Sequence, residues 1–187
     1  MSLSDVTVLF VPGLRDHIAD HWQTILAAEI PGSVTVEPLT ESRLSRKARV
    51  AALDEALSRI EGDVVIAAHS AGALMTVHWA QAPTRKIRGA LLATPADLEN
   101  PLPPAYPSMD DLVEGGWLPI PRNPLPFPAI LAASRNDPLA QFEKLAGLAR
   151  MWGAELHDAG EVGHLNSVTG FGRWDEALPL LERLAAR

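Results

Sequence analysis

The chain has 187 residues, 47% hydrophobic and 21% charged, which suits one globular domain with a substantial buried core. A formal net charge of −7 argues against an electrostatic binder of nucleic acid. Cysteine is absent, so disulfides, thiolate catalysis and sulfur-ligated zinc are excluded.

The first residues, Met1 to Asp5, carry no positive segment, and the apolar run from Val6 to Val11 is too short for a secretory core. No apolar stretch approaches the roughly 20 residues of a membrane span. The expectation is a cytoplasmic protein without a membrane partner. Nothing in the pattern specifies an oligomeric state.

Val6 to Val11 reads as a strand buried on both faces, ended by Pro12-Gly13-Leu14. Arg15 to Ile30 has apolar residues at helical spacing and closes at Pro31-Gly32. Val34 to Pro38 is a second, short strand. Ser42 to Ile60 is an amphipathic helix whose basic segment, Arg43, Arg46, Lys47 and Arg49, reads as a solvated face. Asp63 to Ala68 is a third strand, followed by His69-Ser70-Ala71-Gly72 and a helix from Ala71 to Gln81. Ile87 to Ala93 is a fourth strand.

Thr94 to Pro128 holds ten prolines and little periodicity. Connections of this length are uncommon unless they cover a site, and this one is expected to form a side of a pocket, with Trp22 and Trp117 as candidates for its lining. Pro128 to Ser134 is a fifth strand, Leu139 to Trp152 a helix, Glu155 to Asp158 a sixth strand and Trp174 to Ala186 a closing helix. Strands alternating with helices predict an open parallel sheet covered on both faces.

Ala68-His69-Ser70-Ala71-Gly72 has the form of a nucleophile elbow, a strand-to-helix turn so tight that small residues are needed two before and two after the serine. Ser70 could instead merely cap the helix. A serine nucleophile needs a base and a group that orients the base. In open α/β sheets these converge at the carboxyl ends of strands. Asp137 follows the fifth strand and His164 the sixth, in the order such a triad requires. Asp97, after the fourth strand, is the rival acid, and the alternative for Asp137 is an Asx turn before Pro138.

Of the six histidines, His69 should diverge from Ser70 at the elbow, while His78 and His157 read as structural. His17 and His21 have a spacing that could hold a metal but lack the surrounding His-Glu-x-x-His pattern. An oxyanion needs backbone donors: Ala71 N–H at a helix N-terminus, and Leu14 N–H after the first strand, with Arg15 N–H in reserve.

Val11-Pro12-Gly13-Leu14, His21-Trp22-Gln23, Ala68-His69-Ser70-Ala71-Gly72, Ser134-x-Asn136-Asp137-Pro138, Gly163-His164-x-Asn166 and Gly170-Phe171-Gly172-x-Trp174 occur in this order. Together they resemble the small α/β-hydrolases related to retinoblastoma-binding protein nine and its bacterial YdeN-like relatives. The resemblance runs from about residue 6 to residue 175. It implies a three-layer α/β-hydrolase fold with six parallel strands in order 2-1-3-4-5-6, no separate cap domain, and a Ser70–Asp137–His164 triad. The retinoblastoma-binding motif of the vertebrate member contains a cysteine, so that partner does not carry over.

The expected function is serine hydrolysis, carboxylesterase-like, of an ester, thioester or small amide through an acyl-enzyme. The partner is a small-molecule acyl substrate, with no cofactor or metal. The alternative is a catalytically inert binding protein on the same fold.

Overall fold

The computed structural model describes residues 2–187. Six parallel strands form one sheet in the order β2-β1-β3-β4-β5-β6. They are β1 (Thr7–Val11), β2 (Val34–Thr35), β3 (Val64–His69), β4 (Gly89–Ala93), β5 (Ala129–Ala133) and β6 (Glu155–Asp158). The central strands read as unbroken apolar runs because helices cover both faces, so side chains pointing either way are buried.

Alternate residues of each strand serve different layers, as the two-residue period of a strand requires. Val8, Phe10, Val65, Ala67, Leu91 and Ile130 pack on α1 (Trp22–Glu29) and α6 (Ala177–Ala185), with Trp22, Leu181 and Leu184 as the main partners. Leu9, Val11, Ile66, Leu92 and Leu131 face the opposite layer. That layer comprises α2 (Arg46–Ser58), α3 (Ala71–Trp79), α4 (Met109–Glu114) and α5 (Phe142–Trp152). Trp22 and Trp117 are 1% and 0% exposed, so both are core residues and neither lines the pocket.

Several helices begin later than their apolar spacing suggests, each for a local reason. α1 starts at Trp22, because the chain after β1 first makes a turn in which Asp16 N–H donates to Gly13 and Asp16 has φ of +55°. The Nδ1 of His21 then caps the helix by accepting from Gln23 N–H. His17 and His21 therefore do not share a helical face. α2 starts at Arg46, capped by Ser45, since Ser42 has φ of +51°.

The basic segment is not a uniformly solvated face. Arg49 is only 5% exposed, and its guanidinium donates to Leu14 O, Arg43 O and Asp16 Oδ1. A buried guanidinium persists only when its donors are satisfied, and here the acceptors come from the loop after β1 and from residue 43. Between β4 and β5 the proline-rich stretch contributes only the short α4; its first part, from Ala96 to Pro107, borders the cavity at Ser70, and its last part returns past Gln81 and Trp152 to the start of β5. No helix among the described residues is long and apolar enough to cross a membrane.

Candidate active site

Ser70 stands at the end of β3 with φ of +55° and ψ of −122°. A non-glycine residue is strained there and persists only where its surroundings impose the conformation. Two close approaches impose it. A Cβ on Gly72 would lie 2.2 Å from Val11 O, so α3 presses directly on the end of β1. A Cβ on Gly13 would lie 3.3 Å from the Cβ of Ser70, so the loop after β1 passes just beside the serine. At Ala68, the residue two before Ser70, the turn accepts a methyl group.

Ser70 occupies the N-cap position of α3, yet its side chain makes no capping hydrogen bond. The hydroxyl instead lies 2.9 Å from His164 Nε2. On the other side of the ring, Nδ1 lies 2.9 Å and 3.0 Å from the two oxygens of Asp137. The His164 and Asp137 side chains are 2% and 0% exposed, whereas Ser70 borders the cavity.

Asp137 also accepts from Leu139 N–H at 2.8 Å. The Asx turn and the histidine contact are thus made by the same carboxylate, and the turn aims it. Asp97 is occupied elsewhere: its oxygens accept from Glu99 N–H and from the Asn100 side chain.

Backbone geometry alone would not hold His164. Gly163, His164 and Leu165 form a contorted loop, with φ of +56° at Gly163 and +48° at Leu165. Asn136 Oδ1 accepts from Gly163 N–H at 2.7 Å and from the Ser134 hydroxyl at 3.0 Å. The Ser134 hydroxyl in turn accepts from Val162 N–H. Thr169 Oγ1 accepts from His164 N–H. These side chains tie the loop after β6 to the turn after β5, which keeps histidine and acid in register. Ser134 and Asn136 belong to the motif read in the sequence, but only their partners reveal what they hold.

The His69 side chain turns from Ser70 towards the His164 backbone, and so it stays at the site. Its ring lies 5.0 Å from that of His164 and 4.5 Å from that of His21, and its Nε2–H donates to the His164 carbonyl at 2.8 Å. The strained elbow turns Ser70 upward while the extended residue before it points across the end of the sheet. Burial, with the nearby His164 as a second cause, holds the imidazole of His69 well below the usual range. The same two causes push His21 down to about 4. Both rings are therefore neutral at pH 7.

Gln23 Nε2 bridges Val11 O and Ala67 O, fastening the ends of β1 and β3 on either side of the elbow. Leu14 and Ala71 both line the cavity at Ser70, and neither backbone N–H makes a hydrogen bond to another described residue. The cavity is about 320 Å³, near the lower limit for small-molecule sites. One wall is apolar and comes from the proline-rich stretch, through Ala96, Leu98, Leu102, Ala105 and Tyr106. Among the described residues no three His, Asp or Glu side chains are grouped as metal ligands.

A family model described as serine hydrolase matches residues 8–183. The structure of a YdeN-like hydrolase from Pectobacterium atrosepticum is 31% identical, with a TM-score of 0.81 over 97% of this chain and 91% of that one. The ydeN gene product of B. subtilis is 15% identical, with a TM-score of 0.74 over 97% of this chain and all (100%) of that one. The RedJ thioesterase of Streptomyces coelicolor is 18% identical and aligns with a TM-score of 0.66 over 96% and 90% of the two chains. The last two likenesses concern the fold. No curated protein matches the sequence.

Proposed function

Since this chain belongs to the serine hydrolase family, in its YdeN-like α/β-hydrolase branch, we propose that it cleaves an ester, thioester or small amide with Ser70 as nucleophile, His164 as base and Asp137 as the orienting acid. The observation that carries this reading is the continuous hydrogen-bonded chain from Ser70 Oγ through His164 to Asp137.

Donation from His164 Nδ1–H to the Asp137 carboxylate leaves Nε2 as the acceptor facing the serine. Ser70 Oγ attacks the substrate carbonyl carbon as its proton passes to His164 Nε2. The carbonyl oxygen takes up negative charge and is held by Leu14 N–H and Ala71 N–H, donors already freed of other partners. Each such donor contributes on the order of 10²–10³ in rate. When the carbonyl re-forms, the leaving group departs with the proton from His164, and an acyl-Ser70 ester remains. Water, deprotonated by the same imidazole, repeats the sequence and releases the acid. All proton transfers run through one side chain, so this chemistry draws on no cofactor. The substrate class this supports is carboxylesterase-like.

Ser70→Ala is expected to abolish hydrolysis of 4-nitrophenyl esters and labelling by a fluorophosphonate probe. Labelling of that variant at the wild-type rate would sink the assignment. A non-catalytic binding protein on this fold would leave Ser70 inert to the probe in the parent protein.

A further inference from the structure

The charges around the cavity mouth differ in sign from those of the chain as a whole, whose formal net charge is −7. Among the described residues, Asp16 is the only carboxylate in the lining. Its two oxygens are taken by Arg43 at 2.8 Å and Arg49 at 3.1 Å. Arg15, the next residue towards Leu14, also lines the cavity and is exposed, and no carboxylate of the described residues pairs with it. Its guanidinium lies 5.5 Å from the centre of the Tyr106 ring. This contact joins the loop after β1 to the proline-rich wall and holds a positive charge at the mouth.

A cleft with low-dielectric walls and charge of one sign raises the local concentration of the opposite sign. Arg15 follows Leu14 directly, so this charge lies one residue from the amide proposed to hold the reacting carbonyl. We infer that the substrate is an acyl ester or thioester carrying an anionic group, a carboxylate or a phosphate, that pairs with Arg15. Its apolar portion lies against Leu98, Leu102 and Tyr106. This inference rests on Ser70 being the nucleophile, and it adds what Ser70 acts on.

Two matched substrate pairs test it and locate the anion. Mono-4-nitrophenyl adipate against 4-nitrophenyl 6-methylheptanoate places the charge on the acyl side. The hexanoyl thioester of 3-mercaptopropionate against that of N-acetylcysteamine places it on the leaving group. In one pair the anionic member is expected to have the higher kcat/KM by about tenfold, equivalent to about 1.4 kcal/mol. That ratio should fall towards one in Arg15→Gln, persist in Arg15→Lys, and shrink with added salt as charges are screened. A merely structural role for Arg15 would lower both members of a pair together and leave the ratio unmoved.

The inference is overturned if neither anionic substrate is preferred, or if the ratio survives in Arg15→Gln, while fluorophosphonate still labels Ser70. Absence of that labelling in the parent protein overturns the nucleophile assignment instead, and this inference with it.

Discussion

Gly72 and Val11 are in backbone contact: a Cβ added at residue 72 would lie 2.2 Å from the Val11 carbonyl oxygen. The requirement for a small residue two after Ser70 is thus set by β1, a neighbouring strand, as much as by the turn itself. The contact also seats α3 at the level where Ser70 faces His164.

Gly72→Ala is therefore expected to push α3 away from β1, because the opposing atoms are backbone and cannot rotate aside. Overpacking of this kind costs about 2 kcal/mol or more, a fall in Tm of roughly 4–8 °C for a chain of this size. Thermal unfolding followed by circular dichroism checks the stability. Ester hydrolysis should fall further than the lost stability explains, since the Ser70–His164 contact shifts with the helix. Wild-type Tm and activity in this variant would contradict the account.

Asp137→Asn keeps the size of the side chain but removes the charge that orients His164. Replacing the acid of such a triad lowers turnover by roughly 10³–10⁴ through the wrong imidazole tautomer, and a loss of that order is expected in kcat. Asp97→Asn should leave turnover near that of the parent, because Asp97 is bonded to Glu99 and Asn100 instead. A large loss in the Asp97 variant with little in the Asp137 variant would reverse the assignment.

Stability should fall on mild acidification. His21 and His78 are both lowered to about 4, chiefly by burial, and His69 is lowered well below its usual range. Their unfolded pKa is higher, near 6.5, so below that pH the unfolded chain takes up protons that the folded chain refuses. The stabilisation is complete above about pH 6.5 and is lost progressively as pH falls towards 4. At pH 5 the His21 contribution alone is on the order of 2 kcal/mol. Urea midpoints at pH 7.5 and pH 5 measure the loss, and His78→Gln should flatten part of it. A midpoint that does not change between these pH values would refute the prediction.

Much of this molecule was legible in its one-dimensional pattern. The apolar runs of β1, β3, β4 and β5 stand out because both faces of a parallel sheet are buried. The small residues around Ser70 stand out because a strand-to-helix turn tolerates little else, and Asp137 and His164 follow their strands in the order the site needs. What the order could not convey was which side chains meet. The choice between Asp137 and Asp97 depends on where each carboxylate finds its partners, and the capping and nucleophilic readings of Ser70 differ only in where its hydroxyl points.

Arg49 makes the division plain. By sequence it is one of four basic residues on an amphipathic helix, with the same polarity as its exposed neighbours. Tertiary structure buries it among Leu14 O, Arg43 O and Asp16, where it braces the loop beside Ser70. His69 turns from Ser70, as the elbow implies, but only the fold shows that it then supports the His164 backbone. Sequence determined the fold and the residue types of the site, because periodicity, turn chemistry and chain order are local properties. Only the tertiary structure decided which polar groups of the site are satisfied by which, because those partners lie up to 95 residues apart in the chain and meet only when the strand ends converge.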